Sequence, residues 1–214
     1  RAQTTNDMVN ALPDASFTSA PVTARLAALF DAGSETALPA DSGLRMAEAR
    51  VGGRPVVAVA TDPALDKGVL GVAECADLRR IVRLALQTQK PLVLLIDSAG
   101  ARLDAGLPIQ GALRGLMAEL LDASLAGLPM IALLGRNVFG GASMLAFAAG
   151  QRCYAADTVL AMSGPRVLEN AGGGPLPTVR AAISGPSRCR HGGSEHLLDD
   201  TLSALDMHTE AEVT

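Results

Sequence analysis

The stretch PLVLLIDSAGAR, from Pro91 to Arg102, decides how this chain folds. Its first part, Pro91 to Asp97, is an apolar run of strand length with no alternation of polar and apolar positions. Such a run reads as a strand covered on both faces. The small residues that follow, Ser98 to Gly106, read as a loop. Pro108 then opens a helix, PIQGALRGLMAELLDASLAG, whose buried stripe is Ile109, Ala112, Leu113, Leu116, Met117, Leu120 and Leu121. Gly127 stops it and Pro129 follows, as helix-end chemistry requires. A second buried strand, Pro129 to Gly135, runs into GRNVFGGAS (Gly135 to Ser143) and an alanine-rich helix. Strands are followed by loops and helices at least three times along the chain, the pattern of an α/β fold with short crossovers.

Working outward, VTARLAALFDAG (Val22 to Gly33) has helical spacing and a glycine stop. GLRMAEARVGGRPVVAVA (Gly43 to Ala60) reads as strand, tight turn at Gly52-Gly53, strand. TDPALDKGVLG (Thr61 to Gly71) is rich in turn residues. Ala73 to Thr88 is helical, with Leu78, Ile81, Val82 and Ala85 on one face. Towards the C-terminus, RCYAADTVLAMSGP (Arg152 to Pro165) supplies one or two strands, and RVLENAGGGPLP (Arg166 to Pro177) a short helix ending in glycines. Residues 172–193, rich in Gly, Pro, Ser and Arg, read as a mobile loop. SEHLLDDTLSALDMH (Ser194 to His208) reads as a terminal amphipathic helix. A single domain is expected over 22–208, with a loose tail at 1–21 and a short one at 209–214.

The composition narrows the function. The chain has 214 residues, 49% of them apolar, so it can bury a substantial core. Aromatic residues make up 2% and the net charge is −4, which argues against stacking on, or neutralising, nucleic acid. No apolar run is long enough to span a membrane. Cys75, Cys153 and Cys189 are widely spaced with no C-x-x-C pair, so a zinc ribbon is excluded and no metal site is expected. Odd, scattered cysteines suit a reducing cytoplasm. Arg1 follows no apolar leader pattern and reads as a processed or truncated start.

Two loops carry the candidate chemistry: Asp97-Ser98-Ala99-Gly100-Ala101-Arg102 and Phe139-Gly140-Gly141-Ala142-Ser143. Each follows a buried strand, and ligands bind at the carboxyl ends of such strands. Backbone N–H groups of small residues on two facing loops can converge on one oxygen, and a donor at a helix start gains from the dipole. The alternative is that the glycines only allow tight strand–helix packing.

The motifs resemble the crotonase/Clp superfamily, and most of all its carboxyltransferase branch. DSAGARL (Asp97 to Leu103) is similar to that branch's D-S-G-G-A-R-[LI], with Ala99-Gly100 in place of Gly-Gly. FGGAS is similar to its second-loop Gly-Gly, and MSGPRVLENAG (Met162 to Gly172) to its [LM]-[NST]-G-P-x-V-[IV]-E segment. VGGRPVVAVATD resembles its early hairpin, whereas KGVLGVAE (Lys67 to Glu74) departs from its G-G-S-[LV]-G-E. Within the branch the β subunits of biotin-independent malonate decarboxylases are the most similar.

The resemblance implies a crotonase-like spiral of ββα units with a C-terminal helix. It also implies stabilisation of a thioester enolate by backbone N–H groups, here from Ala99, Gly100, Gly140 and Gly141. Ser98, Ala101, Arg102, Asn137, Phe139, Ser143 and Gly164 would line the substrate. The implied activity is decarboxylation of a malonyl thioester, a lyase reaction. The substrate would be carried on coenzyme A or the phosphopantetheine-type arm of an acyl carrier protein, with no cofactor bound directly. A related γ-type subunit would complete an oligomer. The alternatives are a carboxyltransferase subunit of a biotin-dependent carboxylase and a non-catalytic scaffold. A third is a Clp-type peptidase with Ser143 as nucleophile, which needs a histidine base within reach.

Other polar residues have plainer readings beside these. Arg102 either clamps a carboxylate or phosphate or pairs with Asp97 or Asp104. Asn137 is a site residue or a turn residue. His191 is a ligand contact or a solvated loop residue, Arg188 and Arg190 face an acidic carrier or plain solvent, and Glu119 belongs to an exposed helix face.

Overall fold

The computed structural model describes residues 16–102, 106–192 and 195–198. Helix α1 (Val22–Leu29) is followed by β1 (Thr36–Leu38), β2 (Arg45–Val51), β3 (Arg54–Ala60) and α2 (Val72–Thr88). Then come β4 (Leu92–Ser98), α3 (Leu107–Leu125), β5 (Met130–Phe139), α4 (Gly141–Ala148), β6 (Gln151–Tyr154) and β7 (Val159–Ala161). Short helices α5 (Pro165–Leu168), α6 (Leu176–Ala182) and α7 (Gly185–Cys189) lead to β8 (Glu195–Leu197).

One eight-stranded sheet organises the chain in the order β1-β2-β3-β4-β5-β6-β8, with β7 also paired to β5. The β1-β2-β3 part is antiparallel and includes the expected hairpin around Gly52-Gly53. From β3 to β4, β5, β6 and β8 every pairing is parallel. The fully apolar run proves to be a strand with both faces buried. Leu92, Leu94 and Ile96 enter a core shared with α2, α3 and α4. Val93 and Leu95 enter a second core with Phe17, Leu26 and Leu29 on the α1 side. This mixed α/β architecture is the crotonase-like expectation borne out.

Several local expectations are corrected. Strand β5 does not end at Gly135 but continues to Phe139, its first half pairing with β6 and its second with β7. Ser16 to Pro21 lay within the expected loose tail, yet Phe17 and Ala20 are buried against α1. Residues 176–182 and 185–189, expected as mobile loop, are α6 and α7. Their start signals are prolines in the first turn and, for α7, Ser184, whose hydroxyl accepts the Ser187 N–H. The expected terminal helix begins instead as strand β8, held at the sheet edge by an ion pair from Arg152 Nε to Glu195 at 2.8 Å. The rest of that expectation, including His208, lies outside the described residues, as does the 209–214 tail. Leu121 leaves the buried stripe of α3 and is 58% exposed, while Ala123 is buried in its place.

Candidate active site

Strands β4 and β5 are parallel neighbours, so both loops emerge at the same end of the sheet. The first loop is strapped to the segment before α2. The Ala99 N–H donates to the Lys67 carbonyl at 3.0 Å, the Leu70 N–H to Gly100 at 2.8 Å, and the Arg102 N–H to Leu70 at 2.8 Å. The Gly100 N–H donates to the Ser98 hydroxyl oxygen at 3.1 Å, and Ser98 is fully buried.

The second loop begins at Gly140, whose φ of 55° and ψ of −131° lie in a region that L side chains avoid. Its N–H donates to the Met162 carbonyl at the end of β7, at 3.1 Å. Gly141 opens α4 and is buried. Ser143 is buried too; its N–H and its hydroxyl both donate to the Gly140 carbonyl, at 3.0 and 2.7 Å.

The two loops touch backbone to backbone. A Cβ on Gly140 would stand 3.4 Å from the Gly100 Cα and 3.5 Å from the Ala101 nitrogen. The predicted donors Ala99, Gly100 and Gly140 therefore have their N–H groups engaged within the protein. The fourth, Gly141, is in the first turn of α4, where no intrahelical acceptor exists. Among the described residues, neither its N–H nor that of Ala101 meets an acceptor. The open N–H groups of the two loops are thus that of Gly141, one of the four expected donors, and that of Ala101, expected only to line the substrate. The engaging carbonyls, Lys67 and Met162, come from distant segments, which is why the motif alone did not reveal them.

The remaining predicted residues divide. Phe139 is half-buried at the end of β5, and its carbonyl lies 3.2 Å from where a Gly100 Cβ would stand. Gly164 is half-buried and caps α5. Arg102 pairs with Asp66, not Asp97, and lines a cleft beside the first loop with Leu44, Leu65, Val69 and Glu74. Asn137 lines a separate cleft with Arg25, Arg45, Asp62 and Arg136, and its N–H donates to Asp97 at 3.3 Å. Asp97 itself is buried and paired with Arg25 at 3.1 Å. Sequence reading missed Arg25 altogether, since it looks like any polar residue of an amphipathic helix.

Ser143 has no base. His191 bonds the Ser187 carbonyl and His196 the Gln151 side chain, so no described histidine serves the hydroxyl. The serine behaves as a first-turn helix residue, its hydroxyl spent on the Gly140 carbonyl. Glu119 is also not the exposed residue expected. It packs between α2 and α3, where Arg79 and Arg83 both hold its Oε1. Burial pushes its carboxyl up, but hydrogen bonds and charge from Arg79 and Arg83 outweigh this and hold it below the ordinary glutamate range.

Residues 6–208 match the carboxyl transferase domain family. The propionyl-CoA carboxylase beta chain of Rhodococcus erythropolis is 29% identical over 191 residues, covering 87% of this chain and 35% of that protein. The acetyl-coenzyme A carboxylase carboxyl transferase subunit beta of Mesorhizobium japonicum is 28% identical over 84% of this chain and 56% of its own length. The chain thus spans well under two thirds of these curated relatives. A Pseudomonas malonate decarboxylase hetero-dimer superposes with a TM-score of 0.80 at 26% identity, over 92% of this chain and 86% of that one. The transcarboxylase 12S structure superposes with a TM-score of 0.80 at 18% identity over 98% of this chain, a likeness of fold. No helix among the described residues is long and apolar enough to cross a membrane.

Proposed function

The chain belongs to the carboxyl transferase domain family, and from that premise we propose that it decarboxylates a malonyl-type thioester as one subunit of a malonate decarboxylase-like complex. The observation that carries this reading is the contact between the two loops, which leaves the Ala101 and Gly141 N–H groups without acceptors. In the reaction the bond between the carboxylate carbon and the α-carbon breaks and CO₂ leaves. The electron pair passes onto the thioester oxygen as an enolate, and the α-carbon then takes a proton from water. Donors fixed in place before the charge develops lower the barrier because they need no reorganisation. Gly141 adds the favourable end of the α4 dipole.

The cleft beside Arg102 suits the substrate's carrier arm. Leu44, Leu65 and Val69 offer apolar wall to a pantetheine chain, and the Arg102–Asp66 pair stands at its polar side. Whether the arm belongs to coenzyme A or to an acyl carrier protein, the same wall serves. A related γ-type subunit would close the site from outside, in a cytoplasmic oligomer. The likeness to the malonate decarboxylase structure, at 26% identity, supports this reading.

A second reading is supported by the propionyl-CoA carboxylase likeness: the same enolate could accept carboxyl from biotin. One experiment separates the two. CO₂ release from malonyl thioesters is measured for the protein alone and with any co-purifying partner, with and without avidin. Turnover unaffected by avidin is expected. Turnover abolished by avidin, or dependent on an added biotin carrier, would establish the carboxyltransferase instead.

A further inference from the structure

Asp97 stands where the two donor loops diverge. Strands β4 and β5 are in register up to Ile96 opposite Leu134, and pairing resumes at Ser98 opposite Val138. Gly135, Arg136 and Asn137 therefore all face the single residue Asp97. A bulge of this kind leaves backbone donors without ladder partners. The Asp97 carboxylate supplies the acceptors: Oδ2 takes the Arg136 N–H and Oδ1 the Asn137 N–H, each at 3.3 Å.

Everything around Asp97 is built to hold it there. Its N–H donates to the Thr61 hydroxyl oxygen at 2.8 Å, and that hydroxyl is 3.0 Å from the Asp97 carbonyl. A Cβ on Gly135 would stand 2.6 Å from the Asp97 Cβ, so only glycine fits opposite. Arg25, 1% exposed, balances the charge with a bond from Nη1 to Oδ2 at 3.1 Å. The rest of its guanidinium is spent on the Ala20 and Thr18 carbonyls, both at 2.9 Å.

We infer that Asp97 is a positioning residue for the thioester chemistry, its carboxylate setting the spacing between the Ala101 and Gly141 donors. This rests on the enolate reading above. The backbone of Asp97 continues directly into the first loop, and its side chain grips β5 just before the second. One carboxylate thus ties both donor groups to a common reference. Arg25 sets a guanidinium beside that buried carboxylate, so the pair is lost if either member is removed.

The test separates positioning from stability. In Asp97→Asn the side chain keeps one acceptor oxygen and turns an NH₂ towards a backbone donor. It also leaves Arg25 buried without its counter-charge, so both Tm and kcat should fall. In the double variant Arg25→Met with Asp97→Asn the stranded charge is gone, and Tm should rise above that of Asp97→Asn, short of the parent because the Ala20 and Thr18 carbonyls lose their donor. Its kcat on a malonyl thioester should stay at least about tenfold below the parent, because small displacements of catalytic groups are costly. KM should change by less than about threefold, since the loss falls on the transition state. Recovery of kcat together with Tm would overturn the proposal. A parent with no thioester turnover, with or without its partner, would sink the enolate reading and this role with it. If neither variant folds, amide hydrogen exchange on the parent decides: Arg136 and Asn137 should be protected, and rapid exchange at both would refute the grip.

Discussion

The Gly140 N–H donates to the Met162 carbonyl at 3.1 Å, which fastens the second loop to the end of β7. This bond removes Gly140 from the set of available donors. It also anchors the residue from which α4 starts at Gly141. The role of Gly140 is conformational, with φ at 55° and the Ala101 nitrogen 3.5 Å from where its Cβ would be.

Gly140→Ala should therefore be costly in two ways. A non-glycine residue forced into that region carries about 1–3 kcal/mol of strain. Relief of the strain would displace the Gly141 N–H proposed to hold the thioester oxygen, and loss of one such donor costs about 10²–10³ in turnover. A drop of that size in kcat, with Tm lowered by several degrees, is expected. Unchanged turnover in a folded variant would mean that the glycines serve packing alone.

Ser143→Ala should affect stability more than chemistry. Among the described residues the hydroxyl's one close oxygen partner is the Gly140 carbonyl, so about 1 kcal/mol is at stake. Turnover should fall by no more than about tenfold. Mass spectrometry after treatment with a serine-directed fluorophosphonate should find no adduct on Ser143. An adduct with complete loss in the variant would restore the peptidase reading.

Glu119 gives a pH signature. Its folded-state pKa lies below the ordinary value because of Arg79 and Arg83, so its contribution is fully present above the unfolded value of about 4.3. That contribution is lost as pH falls through the lowered folded value. The Tm difference between parent and Glu119→Gln should be largest near pH 7 and should shrink on acidification below pH 4. A gap independent of pH would show that the charge is irrelevant.

Cys75 should be inert in the native protein. Burial, and then the nearby Glu74 charge, push its thiol up to about 11 against a smaller pull from Arg79. At pH 8 the thiolate is scarce and shielded. Ellman's reagent should leave Cys75 unmodified until denaturant is added, as peptide mapping would show. Rapid native labelling at Cys75 would contradict the packing of α2.

Periodicity and composition were enough for the strand β4, the first half of β5, the helices α2 and α3, the β2–β3 hairpin and the first small-residue loop. These are local properties: an apolar run with no alternation has only one way to be buried on both sides. The motifs added the family, and so the class of chemistry. The short helices α6 and α7 were misread because their Gly- and Pro-rich segment looks like loop on composition, although its cap residues were present. Strand β8 reads as helix in the sequence because three residues cannot show their period. Which N–H groups remain open to a ligand depended on carbonyls at Lys67 and Met162, far along the chain from the donors they engage. The partner of Asp97 was equally remote, lying in α1. A backbone donor looks the same in every residue of a motif, and only the folded chain decides which ones have already been spent on it.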